Sequence, residues 1–174
     1  MLNKVFRRYD MYQFRKSIEQ DKSQLADLFA ESFGSLALNH GALEPIANRY
    51  WVALYEDKIV AVTGILPIYK SDFSGYEVTW TCTSNKHRKK GLIVQMLQKA
   101  EAELPNDHIP LYCNCWRIRD NDKINMYSVM KHMDMHEVVR QRIKRVNPHS
   151  IDCCGCAQFQ KECYCCGDLY MKNR

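Results

Sequence analysis

Residues 81–104, TCTSNKHRKKGLIVQMLQKAEAEL, constrain this chain more than any other stretch: a strand ends at Thr83, a basic turn closes on Gly91, and helical periodicity follows. Ile93, Met96, Leu97, Ala100 and Leu104 recur at helical spacing, so a helix begins near Gly91 and buries one stripe. The unpaired N–H groups of its first turn and the positive end of its dipole point back into the turn. Lys86, Arg88, Lys89 and Lys90 add charge at the same place, which makes the turn a cradle for a pyrophosphate. A solvated basic loop before an ordinary helix would read the same way, and the surrounding elements must decide.

The chain has 174 residues, enough for one domain with a substantial core and short for two. We read residues 1–147 as that domain and 148–174 as a cysteine-rich C-terminal segment, a candidate metal binder packed on the same domain. A formal charge of +5 suits an anionic cofactor at least as well as a nucleic acid. No apolar run approaches membrane-spanning length, and MLNKVFRRYDMYQF carries charges where a signal peptide would be apolar. A soluble, cytoplasmic protein is the expectation. Nine cysteines are many for such a chain, because a reducing compartment favours metal binding or free thiols over structural disulfides.

Along the chain, Tyr12 to Ser17 alternates as a strand, and Asp21 with Gln24 three residues on resembles a capping box that opens a helix. Leu25, Leu28, Phe29 and Phe33 follow at helical spacing and Gly34 stops them. Residues 35–48 are ambiguous, with room for a second short helix whose length Gly41 and Pro45 limit. YWVALYE, a turn at Asp57-Lys58 and IVAVTGILPIY form a hairpin; a second turn at Lys70 to Gly75 leads to a strand over Tyr76 to Thr83. After the cradle helix come a strand from Ile109 to Trp116, a helix capped by Asp122 and reaching Met133, and a strand from Met135 to Lys144. On that last strand Arg140, Arg142 and Lys144 share one face, read as a solvated one.

This order of elements resembles the GNAT superfamily of acyl-CoA N-acyltransferases over roughly Tyr12 to Lys144. It implies an α/β (α+β) fold, a mixed, mainly antiparallel central sheet flanked by helices. In that family the cradle reads Gln or Arg, two variable residues, Gly, one variable residue, then Gly or Ala. Here Arg88-Lys89-Lys90-Gly91-Leu92-Ile93 matches at Arg88 and Gly91 and carries Ile93 where a small residue is usual.

The resemblance implies roles for particular residues. The strand before the cradle splays from its neighbour, and its backbone at Thr81, Cys82 and Thr83 would meet the pantetheine arm and the thioester oxygen of acetyl-CoA, donors there lowering the barrier to attack. Glu77, eleven residues before Arg88, stands where some members carry a general base, and a solvent-facing strand position is the plainer alternative. The tyrosine that commonly protonates the thiolate, four residues before a Gly-Phe pair, is replaced: Met130 stands at its position and Asp134-Met135 at the pair. Tyr127, one turn earlier, is the nearest substitute, with packing as its other role. His87 reads as a surface histidine, and Cys113 and Cys115 as small core or pocket residues on one strand face.

The tail CCGCAQFQKECYCCGDLYMKNR contains two CxxC steps, so Cys153, Cys156, Cys163 and Cys166 are a candidate zinc set. Free thiols, disulfides and an iron–sulfur cluster compete with it. Asp168 to Lys172 can return to the sheet as a final strand. The leading functional expectation is an N-acetyltransferase carrying acetyl from acetyl-CoA to a primary amine by direct attack in a ternary complex. The alternatives are a catalytically weak CoA-binding or protein-interaction module with a zinc-stabilised tail, and, less favoured, a nucleic-acid binder.

Overall fold

Alternating branched and aromatic residues set the chain up as a sheet, and the few helical stripes must cover its two faces. A computed structural model describes residues 11–34, 38, 42–69, 74–106, 108–118, 123–141 and 166–174. In chain order these form β1 (Gln13–Lys16), α1 (Lys22–Phe33), β2 (Tyr50–Tyr55), β3 (Lys58–Tyr69), β4 (Ser74–Thr83) and α2 (Leu92–Ala102), then β5 (Leu111–Ile118), β6 (Lys123–Ile124), α3 (Tyr127–His132), β7 (His136–Gln141) and β8 (Cys166–Lys172). The sheet runs β1-β2-β3-β4-β5-β8-β7, with β6 paired to β5. Every pairing is antiparallel except β4 with β5. This is the mixed, mainly antiparallel sheet flanked by helices that the element order implied.

Each face carries its own core. On one, Leu25, Leu28 and Phe29 of α1 pack on Tyr50, Val52 and Val62. On the other, Met96 and Leu97 of α2 and Met130 of α3 pack on Val60, Val78 and Leu111. Each such fully buried side chain contributes about 1.5–3 kcal/mol.

Local differences from the sequence reading have local causes. Gln24 closes no capping box, because its Oε1 accepts the Ile59 N–H at 2.8 Å. Asp21 instead accepts the Ile18 N–H at 2.9 Å and a two-pronged bond from Arg15 at 2.6 and 2.8 Å. Gly34 ends α1 at φ 86°, its N–H bonded to the Ala30 carbonyl at 3.0 Å. The first hairpin turns at Glu56 and Asp57, φ 49° and 60°, one residue earlier than expected and with the left-handed pair that a two-residue hairpin loop requires. Between α1 and β2, Leu38 has 3-10 helical backbone and residues 42–49 form turns, pinned in part by the Tyr50 hydroxyl donating to the Ala42 carbonyl at 2.7 Å. The helix expected from Asp122 begins only at Tyr127, with Met126 ahead of it; Asp122, Arg142 and Lys144 lie outside the described residues.

Candidate active site

The parallel pairing of β4 with β5 is short: Tyr76 opposite Leu111, Glu77 opposite Tyr112, Val78 opposite Cys113. Beyond it the strands part. The antiparallel β3–β4 register slips between Val62 and Gly64, and Trp80 on the slipped side takes φ 48°. An extra residue in one strand bends it and increases its twist, which turns the end of β4 away from β5. Trp80 is held there by Phe29 and Phe33 of α1, ring centroids 5.6 and 5.9 Å away. The result is a fork in the sheet that leads directly into the basic turn.

Thr81, Cys82 and Thr83 form one prong. Thr81 Oγ1 shares a 2.7 Å hydrogen bond with Thr63 Oγ1, and Cys82 and Thr83 remain in the ladder opposite Val62 and Ala61. Burial pushes the Cys82 thiol up to about 12, so it is a protonated packing group at neutral pH. Glu77 is half-buried at the base of the fork, one residue before the last β4–β5 pair.

The turn itself is built around two left-handed residues, Lys89 at φ 60° and Gly91 at φ 71°. Gly91 caps α2, and the Gln95 N–H to Gly91 carbonyl bond at 3.2 Å is the helix's first. The N–H groups of Leu92, Ile93 and Val94 therefore precede the intrahelical ladder and face the turn. Leu92 and Ile93 bury their side chains in the core, so the branched side chain of Ile93 does not occupy the space above the helix end where a small residue is usual. Arg88 donates from Nε to the Thr83 carbonyl at 3.2 Å, which ties the cradle's first cation to the end of β4. Lys89 and Lys90 are exposed, and Lys90 Nζ donates to the Tyr12 hydroxyl at 2.8 Å.

Other sites differ from expectation. Tyr127 is 59 % exposed in the first turn of α3, which removes packing as its role, whereas Met130 is fully buried. At Asp134-Met135 the chain leaves α3 through a left-handed residue: Asp134 takes φ 55°, and its N–H and that of Met135 bond the Lys131 and Met130 carbonyls at 3.3 and 2.9 Å. Met135 is buried. His87 is no free surface histidine; its Nδ1 lies 3.0 Å from the Tyr12 hydroxyl. Cys113 and Cys115 share a buried face of β5 with sulfurs 3.5 Å apart, as their alternation suggested. Hydrogen bonding of the Cys113 S–H to Cys115, with burial and the nearby Cys115 and Glu77 charges, holds the Cys113 thiol well above its usual range.

Of the candidate zinc ligands, Cys153, Cys156 and Cys163 lie outside the described residues, and Cys166 opens β8 opposite Arg117. Among the described residues no group of three or more His, Cys, Asp or Glu is arranged to hold a metal ion. Nor is any described helix long and apolar enough to cross a membrane. The sequence had no signal for the Trp80 bulge or for Tyr12, because both depend on strands brought together from distant parts of the chain.

Known structures share this architecture. Naa50 of Arabidopsis thaliana, in complex with the bisubstrate analogue CoA-Ac-MVNAL, superposes with TM-score 0.62 at 11 % identity, covering 94 % of this chain and 99 % of that one. The ribosomal-protein-alanine N-acetyltransferase of Brucella melitensis gives 0.64 at 17 % identity over 93 % and 99 %. An aminoglycoside 6'-N-acetyltransferase complexed with coenzyme A gives 0.62 at 14 % identity over 92 % and 96 %. At such identities the likeness is one of fold. No curated protein sequence matches the chain at a significant level. The sequence profile of the acetyltransferase (GNAT) family, however, matches residues 9–130, more than half the chain and the whole stretch from β1 through the fork to α3. This chain therefore belongs to the acetyltransferase (GNAT) family.

Proposed function

We propose that the protein transfers an acetyl group from acetyl-CoA to a primary amine by direct attack within a ternary complex. The observation that carries this reading is the fork between β4 and β5 opening onto the N-terminus of α2, a slot for an extended thioester arm beside a cradle for its pyrophosphate. Support for the acceptor class comes from the similar folds, whose names specify a peptide-like bisubstrate analogue, a ribosomal-protein alanine and an aminoglycoside.

In this reading the diphosphate lies on the N–H groups of Leu92 to Val94 with Arg88, Lys89 and Lys90 around it, and the thioester lies beside Thr81 to Thr83. The amine nitrogen attacks the thioester carbon, its carbonyl becomes an oxyanion met by strand N–H donors, and the carbon–sulfur bond breaks to give amide and thiolate. Glu77 accepts the proton that the amine loses, directly or through water. The Tyr127 hydroxyl, exposed on α3, is the candidate acid for the departing thiolate, since Met130 has no proton to give.

A native mass spectrum with acetyl-CoA tests the reading first: a CoA-sized adduct is expected, and its absence removes the cofactor assignment. Release of CoA thiol in the presence of amines then tests turnover. Glu77→Gln should lower kcat by roughly 10²- to 10⁴-fold and spare CoA binding; unchanged kcat would take Glu77 out of the mechanism. Burial of Met130 where the family commonly has tyrosine favours a second reading, a CoA-binding module of weak activity, which adduct formation without turnover over a panel of amines would select.

A further inference from the structure

The cradle is fastened to a part of the chain that the acetyl-transfer reading leaves unused. Tyr12, 7 % exposed just ahead of β1, places its hydroxyl 2.8 Å from Lys90 Nζ and 3.0 Å from His87 Nδ1. These partners lie 78 and 75 residues away in sequence and flank Arg88 and Lys89, one on each leg of the turn. An ammonium group only donates hydrogen bonds, so the Tyr12 oxygen accepts from Lys90, and its own proton is available to His87 Nδ1. In that arrangement the imidazole is neutral with its proton on Nε2, whereas a ring protonated at Nδ1 would donate to the Tyr12 oxygen instead.

The surroundings favour that state. Burial, then Lys90 and Lys86, hold the His87 imidazolium below its usual range, with Glu56 acting in the opposite sense. The ring of Tyr12 packs on Tyr55 at 5.5 Å and edge-on to His87 at 5.8 Å, Tyr55 approaches His87 at 5.1 Å, and Lys90 sits 5.5 Å over the Tyr12 ring. Three rings and one cation thus brace the turn from the β1–β2 side.

We propose that Tyr12 is a positioning residue for the cofactor: its hydroxyl, shared between Lys90 and His87, sets the arch of residues 87–91 that receives the pyrophosphate, and so governs affinity for CoA. The inference rests on the acetyl-CoA reading above. Its physical content is preorganisation, because an arch held in place before binding loses less freedom when the phosphate arrives.

Tyr12→Phe keeps the ring and removes the hydroxyl. The dissociation constant for CoA by calorimetry, and KM for acetyl-CoA, should rise roughly five- to tenfold, the effect of one such hydrogen bond, while kcat at saturation stays within about twofold. Lys90→Met should also weaken CoA binding, and in the double variant the two effects should overlap instead of multiplying. Nitrogen NMR of His87 reads the clamp without cofactor, with an Nε2–H neutral ring at pH 7 in the wild type and a changed tautomer balance in Tyr12→Phe. Unaltered CoA affinity in Tyr12→Phe, or fully multiplicative effects, overturns the proposal. A wild type that shows the His87 signature and binds no CoA overturns the acetyl-transfer reading instead, and with it the clamp's role in affinity.

Discussion

Asp134 and Gly91 both adopt left-handed backbone, yet only Gly91 announces it in the sequence. Aspartate visits this region at modest cost and branched residues do so poorly, so Asp134→Val should destabilise the fold by about 1–2 kcal/mol in denaturant titration and Asp134→Gly should not. Asp21 carries a pH prediction. Burial pushes its carboxyl up, but hydrogen bonds from Arg15 and the Ile18 N–H and the Arg15 charge outweigh this and leave it below its usual range. A carboxylate depressed in the folded state stabilises above its unfolded value of about 3.9, and that stability disappears as pH falls through the folded value. Asp21→Asn should therefore lower the melting temperature at pH 7 and blunt acid unfolding below about pH 4, read by circular dichroism against pH. Cys82, held as a protonated thiol at about 12, should resist alkylation in the native protein and react once unfolded, which peptide mass spectrometry resolves.

At the scale of elements, the strands and both major helices were legible because their apolar periods are strong, and their ends followed local chemistry. Gln24 shows the limit: its spacing from Asp21 matches a capping box, but the Ile59 N–H of a strand that arrives later takes its side chain. The fork is a second limit. Its position depends on a bulge at Trp80 and on how far Tyr76 to Val78 run beside Leu111 to Cys113. Gly75 fits into this contact: a Cβ there would lie 2.4 Å from Tyr112 Cε2 and 3.1 Å from the Pro110 carbonyl oxygen. Gly75→Ala should force Tyr112 and the start of β5 outward, destabilise by about 1–3 kcal/mol as overpacking does, and raise KM for acetyl-CoA by changing the fork's width. Equal stability and KM would show that Tyr112 moves aside freely.

On the scale of the whole molecule, β8 lies between β5 and β7, so the last strand of the chain completes the sheet's interior and not its edge. Ending the chain after residue 165 would remove β8 with its buried Asp168 and Tyr170 and leave the facing backbone groups of β5 and β7 without their ladder partners; loss of cooperative thermal unfolding is the expected result, and a folded, CoA-binding product would contradict it. Apolar periodicity, turn chemistry and the Arg88-to-Gly91 run are carried by neighbouring residues, so the order of elements, the family resemblance and the basic turn ahead of α2 could be read directly from the chain. Only the tertiary structure decided the bulge at Trp80, the width of the fork, the exposure of Tyr127 and the clamp of Tyr12 on His87 and Lys90. Each of these depends on atoms many residues apart, and no local pattern encodes where such atoms will meet.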